Sequence, residues 1–324
     1  MFLSVIFLCA GLALILGGAS ILVDGASAVA RRFHIRELVI GLTVVAFGTS
    51  APEFVISFMS SIKGSSSLAI GNVVGSNIFN ILVIVGCTAL IYPISVEKGT
   101  LRREIPFALL SSLVLFFCGS DVLIDGAGEN VVSRADGFLL LCFFMIFLAY
   151  TFSVARNDGE MLENPEGAAV CPIWKSCVLI VGGLVGLVCG GELFVRGASG
   201  VAVGFGVSEA VVGLTVVAAG TSLPELATSV MAALKRNPGI AVGNVVGSCL
   251  FNVFFVLGSS AALRPLDSSA ISLFDYGVLA GSSALLFLFG WLIGERKITR
   301  VEGGALLAVY VCYTVYLVIM AQQC

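Results

Sequence analysis

The chain has 324 residues, of which 58% are hydrophobic and only 11% charged, with a formal net charge of −3. That composition excludes an ordinary soluble domain and any nucleic-acid-binding surface, and reads instead as a chain embedded in a lipid bilayer. A single histidine, His34, excludes a histidine-built metal centre.

Apolar runs of about 18 residues or more, enough to cross roughly 30 Å of hydrocarbon, recur along the whole length. Because backbone groups in lipid need partners within their own segment, these runs are expected to be helices. Ten are expected, near 2–28, 38–62, 67–91, 103–120, 136–154, 174–200, 209–234, 239–263, 272–293 and 301–321. The first lacks a basic start and a small-residue cleavage site, and its Gly25-Ala26-Ser27 recurs as Gly197-Ala198-Ser199. It is therefore read as a retained helix and not as a leader.

The second and third helices repeat as the seventh and eighth. From Val39 to Gly86 and from Val211 to Gly258 the chain aligns with itself without a gap at an offset of 172, with about half the positions identical. Most Lys and Arg, among them Arg31, Arg32, Arg102, Arg103, Lys235 and Arg236, fall in loops after odd-numbered helices. Lys63, Arg134, Arg196 and Arg264 fall on the other side. The positive-inside bias then makes the first set cytoplasmic and puts both termini outside, in a cytoplasmic (inner) membrane.

Five helices per half is an odd number, so the halves enter the membrane in opposite orientations. The expected fold is an all-α membrane protein of ten transmembrane helices in two inverted five-helix repeats. The repeats are residues 1–155 and 174–324, joined by a short polar cytoplasmic linker at 156–173. The ten cysteines form no CxxC and mostly lie in apolar segments, where a free thiol behaves as a small hydrophobe.

Chemistry concentrates in the repeated stretches. Each contains a glutamate, Glu53 or Glu225, where a carboxylate costs about 2.5–3.5 kcal/mol by insertion scales. No Lys or Arg lies in the central part of any segment to pair with it. The preceding Pro52 and Pro224 lack an N–H, so the helix should break around Gly48-Thr49-Ser50 and Gly220-Thr221-Ser222, turning carbonyls and hydroxyls inward. The following helices carry Asn72, Ser76 and Asn80, and Asn244, Ser248 and Asn252, each set at i, i+4 and i+8 along one face. Asn72 and Asn244 read equally well as local caps. Asn77, mirrored by Cys249, is one step or about 100° from that face and is assigned a lesser role. Glycines 71, 75, 243 and 247 read as sites of close helix approach or of local unwinding.

Two carboxylates with the freed carbonyls of Thr49 and Thr221 suit calcium, which takes about six to eight oxygens with tolerant geometry. Sodium could use the same carboxylates, hydroxyls and amides. Two buried like charges favour an occupied site, and competition for them by different cations is the requirement of antiport. A cation channel is the remoter alternative, since it would normally build its filter from rings of subunits. An enzyme is not expected, because no nucleophile–base pair accompanies the glutamates. Asp24 stands at the position equivalent to Arg196, but opposite orientation of the halves argues against their contact; Arg196 is expected to pair with Glu192 one turn earlier. Asp24 is left as an interfacial acid or an ion-access residue.

The motifs GTSAPE with GNVVGSNIFN, and GTSLPE with GNVVGSCLFN, resemble the two alpha repeats of the sodium/calcium exchanger superfamily, in its compact prokaryotic form, across essentially the whole chain. The resemblance implies calcium ligation by Glu53 and Glu225 with the carbonyls of Thr49 and Thr221. It also implies sodium sites using Ser50, Ser222, Ser76, Ser248, Asn80 and Asn252 together with those four residues. The first and sixth helices would slide across a core of the other eight. Ca²⁺ and Na⁺ are then cargo, with no cofactor and no obligatory protein partner, so that a monomer suffices. Some sodium-coupled members carry Asp where this chain has Asn252, which leaves stoichiometry, potassium dependence, and H⁺/Ca²⁺ or other divalent-cation exchange open.

Overall fold

A computed structural model describes residues 2–158, 172–204, 220–293 and 296–321. In chain order its longer helices are α1 (Phe2–Phe33), α2 (Glu37–Thr49), α3 (Ala51–Lys63), α4 (Ser66–Ile91), α5 (Glu104–Cys118), α6 (Arg134–Asp158), α7 (Ile173–Gly204), α8 (Leu223–Leu234), α9 (Pro238–Leu263), α10 (Leu273–Trp291) and α11 (Arg300–Ala321). Seven are long and apolar enough to cross a membrane, or eight when α2 and α3, bent by 50° at their junction, count as one span. α5 has only 15 residues, roughly 22 Å, because the chain leaves the helix at Gly119. Most of the linker expected at 156–173 and the first part of the helix expected at 209–234 lie outside the described residues. The chain is mostly helical and not purely so: four two-residue strands pair between loops, Ile94–Ser95 with Lys297–Ile298 and Val131–Val132 with Leu266–Asp267, both antiparallel.

Contacts group the chain into two compact units, Met1–Pro52 with Leu148–Gly247, and Glu53–Phe147 with Ser248–Cys324. Each unit thus draws on both halves of the sequence.

In the first unit α1 lies along α7. Leu8, Gly11, Gly18 and Gly25 meet Gly197, Phe194, Gly183 and Ile180 in turn, so the two helices run antiparallel. A Cβ at Gly18 would sit 2.8 Å from the carbonyl oxygen of Gly183, and one at Gly183 would sit 2.8 Å from that of Gly18. Only glycine permits this backbone-to-backbone approach. Ile15, Leu22, Val23, Ile180, Leu187 and Ile240 fill the apolar core beside the seam. The C-terminal part of α1 is tied to the loop after α8: Lys235 Nζ lies 2.6 Å from Asp24 Oδ1 and donates to Ser20 O at 2.8 Å. Asn237 Nδ2 donates to Ser27 Oγ at 2.7 Å. Asp24 is therefore an ion-pair partner of Lys235. More than half of its side chain is exposed, so Asp24→Asn is expected to cost less than about 1 kcal/mol in a thermal unfolding measurement.

In the second unit α4 packs on α11, where Phe79 and Tyr310 meet edge to face at 5.7 Å, and α5 packs on α10, where Ser112 and Ser283 share a 2.9 Å hydrogen bond. Phe107, Phe143, Phe144, Phe251 and Phe254 form an aromatic cluster between α5, α6 and α9. α4 and α9 each widen into π-helical turns, at Asn80–Ile84 and Phe251–Leu257. All eight cysteines among the described residues are free, but only Cys118 and Cys249 are buried. Cys9, Cys142, Cys177, Cys189 and Cys312 are exposed on apolar helix faces. A weakly polar thiol is at ease against hydrocarbon as well as in a core.

Candidate cation-binding site

Both GTSxPE motifs break their helices at the serine. Ser50 adopts φ −83°, ψ 7° and Ser222 adopts φ −92°, ψ 7°, outside the α region in matched positions. Pro52 and Pro224 have no N–H to return to the carbonyls of Gly48 and Gly220, which is why the ladder fails there. A new helix starts immediately, with Glu53 in the first turn of α3 and Glu225 in the first turn of α8. The positive end of each half-helix dipole therefore lies at a carboxylate.

In the first unit the halves of the sequence meet directly. Ser50 Oγ donates to Glu225 Oε1 at 2.9 Å, and Thr49 Oγ1 lies 3.1 Å from Asn244 Oδ1 and 3.3 Å from Ala46 O, so it serves both its own helix and a partner. Glu225 is fully buried and its Oε2 has no hydrogen-bond partner among the described residues. A cavity of about 330 Å³ is lined by Pro52, Val188, Glu192, Val195, Thr221 and Pro224. Glu192 pairs with Arg196 on the same wall, as its spacing on α7 implied.

Asn72 and Asn244 are not local caps. Asn244 Nδ2 donates to Glu225 O at 3.1 Å and Ser229 Oγ at 2.9 Å; Asn72 Nδ2 donates to Glu53 O at 3.2 Å and Ser57 Oγ at 2.9 Å. Each amide thus clamps the backbone of the glutamate-bearing turn. Ser57 and Ser229 escaped sequence reasoning, although the same offset of 172 that matched the glutamates matches them too.

In the second unit Glu53, Ser76, Asn80, Ser248 and Asn252 are all buried. Asn80 Oδ1, Asn252 Oδ1 and Ser248 Oγ have no hydrogen-bond partner among the described residues, a costly state for buried polar atoms at about 1–3 kcal/mol each. Asn77, given a lesser role from its angle on the helix, is also fully buried and bridges α4 to α9: its Nδ2 donates to Cys249 O at 3.1 Å, and its Oδ1 accepts from Asn252 Nδ2 at 3.2 Å. The 100° step that takes Asn77 off the stripe turns it toward α9. The glycines divide likewise. Gly243 and Gly247 press against the backbone of α2, as close approach requires, whereas among the described residues nothing lies within 4 Å of a Cβ at Gly75.

Among the described residues no three His, Cys, Asp or Glu side chains are grouped to hold a metal ion. The polar inventory is carboxylate, hydroxyl, amide and carbonyl oxygen, which suits hard cations and not zinc or copper.

The sequence profile of the family described as "Sodium/calcium exchanger protein" matches residues 3–153 and 175–319. A putative antiporter, CaxA, from Alkalimonas amylolytica is 38% identical, with 97% of this chain and 98% of that protein aligned. The sodium/calcium exchanger MaX1 of Methanosarcina acetivorans is 33% identical over 96% of this chain and 97% of its own length. A solved structure of the sodium-calcium exchanger NCX_Mj superposes with a TM-score of 0.82 at 35% identity, covering 97% of this chain and 98% of that one. The resemblance read from the motifs is thereby established over nearly the full length. This multi-pass membrane protein, an antiporter and not an enzyme, belongs to the sodium/calcium exchanger family.

Proposed function

We propose that the chain is a secondary antiporter that exchanges Na⁺ for Ca²⁺ across the cytoplasmic membrane by alternating access. Calcium is taken by Glu53 and Glu225 with Thr49 and Thr221. Sodium uses these four with Ser50, Ser222, Ser76, Ser248, Asn80 and Asn252. The observation that carries this reading is Glu225: fully buried at a helix break, it accepts the Ser50 hydroxyl from the other half, and its Oε2 has no hydrogen-bond partner among the described residues. An unpaired carboxylate in a lipid-embedded chain points to ion handling. The relatives MaX1 and NCX_Mj are themselves named as sodium/calcium exchangers.

The architecture we propose is ten transmembrane helices in two inverted repeats, 1–155 and 174–324, with a cytoplasmic linker at 156–173 and outward-facing termini. Two observations support it. The related helices α1 and α7 run antiparallel, as inversion demands. The loop strands pair between loops that alternation assigns to the same side.

The test is ⁴⁵Ca²⁺ uptake into proteoliposomes loaded with Na⁺, with parallel vesicles holding K⁺ alone or an outward proton gradient. Uptake that requires internal Na⁺ is the expected outcome. Uptake driven equally by protons without Na⁺ would move the reading to H⁺/Ca²⁺ antiport, and calcium flux without a counter-ion would make the chain a channel.

A further inference from the structure

We propose that Asn77 is a positioning residue that sets the amide of Asn252 with its oxygen, and not its nitrogen, available to a cation. The inference rests on the proposed role of Asn252 as a cation ligand and adds the group that makes it one.

The orientation follows from donor and acceptor chemistry. The backbone carbonyl of Cys249 can only accept, so the Asn77 group 3.1 Å from it is the NH₂ end of that amide. Asn77 Oδ1 is then at the other end, where it too can only accept. The Asn252 atom 3.2 Å away is therefore Nδ2. By elimination Asn252 leaves Oδ1 without a partner among the described residues, in a side chain only 1% exposed. A bare asparagine can present either end to a ligand; this one presents an acceptor, the end that a hard cation coordinates. The anchor is main chain, so the orientation is fixed by the fold of α9 itself.

The device has no twin. Asn80, the counterpart of Asn252, faces a second half in which position 249 carries a thiol in place of an amide. The two asparagines at matched positions are thus not equivalent: Asn252 is held by a side-chain amide that the other half of the sequence cannot supply in return.

The experiment titrates NaCl against the thermal unfolding of the full-length protein in detergent, with choline chloride holding ionic strength constant. Wild type, Asn77→Ala, Asn252→Ala and the double variant are compared. Asn77→Ala is expected to raise the sodium midpoint about two- to tenfold, the range that one neutral hydrogen bond controls. Asn252→Ala should raise it at least as much, and the double variant no further than Asn252→Ala alone, because Asn77 acts through Asn252. A wild-type midpoint in Asn77→Ala, or effects that multiply in the double variant, would overturn the proposal even if the cation-free melting temperature falls. If Asn77→Ala does not fold, Asn77→Cys, which carries the side chain already accommodated at position 249, takes its place. Sodium binding with the expected pattern but no sodium-driven calcium uptake in vesicles would leave this role standing and remove the exchange reading.

Discussion

Glu225→Gln is expected to lower sodium-dependent calcium uptake more than about a hundredfold while leaving the fold intact. The glutamine keeps a carbonyl oxygen where Glu225 Oε1 accepts from Ser50 Oγ at 2.9 Å, so the structural hydrogen bond survives. What disappears is the charge. Removing one partner of a buried charge pair costs about 3–5 kcal/mol, and each 1.4 kcal/mol is tenfold in affinity. In the proposed site the partner of the pair is the cargo, so the loss is expected in binding and not in folding. Ser50→Ala, which removes only the hydroxyl, should cost far less, about 1 kcal/mol. Uptake by Glu225→Gln within a few-fold of wild type would make the carboxylate a structural acceptor and defeat the reading of the site.

Gly243→Val is expected to show the largest stability loss, at or above the usual 1–3 kcal/mol for overpacking, read as a lowered unfolding temperature and reduced yield from membranes. A Cβ at Gly243 would stand 2.6 Å from the carbonyl oxygen of Leu38 and 2.9 Å from the amide nitrogen of Leu42. Both are backbone atoms of α2, so no rotamer change relieves the clash and the helices must separate. That movement also draws Asn244 away from Thr49, 3.1 Å apart in the native packing. Gly281→Ala is the control: among the described residues nothing lies within 4 Å of a Cβ there, and the unfolding temperature should be unchanged or slightly raised. Equal losses at the two positions would mean that glycine serves backbone flexibility and not close packing.

The contrast between these glycines also marks what the sequence can convey. GNVVGS stands in both halves, yet among the described residues Gly243 and Gly247 meet a helix backbone while nothing lies within 4 Å of a Cβ at Gly75. Identical local sequence cannot say which surface a helix faces. The helix breaks at Ser50 and Ser222 were legible because their cause is local: a proline without an N–H, met twice. The glutamate clamp was half legible. Asn72 and Asn244 were evident as polar residues in apolar helices, but their bonds to Glu53 O and Glu225 O depend on α3 folding back on α4 and α8 on α9. The Asp24–Lys235 pair joins residues too far apart in the chain for any periodicity to connect them. Asn77 lies off the polar stripe yet bridges α4 to α9, because a helix packed on several neighbours has more than one buried face.

The hydrogen bonds that run from one half to the other bear on ancestry. Ser50 supplies the hydroxyl that Glu225 accepts, and Thr49 meets Asn244, so each polar group is completed by a segment from the other end of the gene. A half-length forebear would have buried a glutamate lacking its hydroxyl unless a second copy supplied it. Two copies in one chain mean instead that a substitution in one half leaves the other unchanged, and the asparagine at 77 opposite the cysteine at 249 is one such difference.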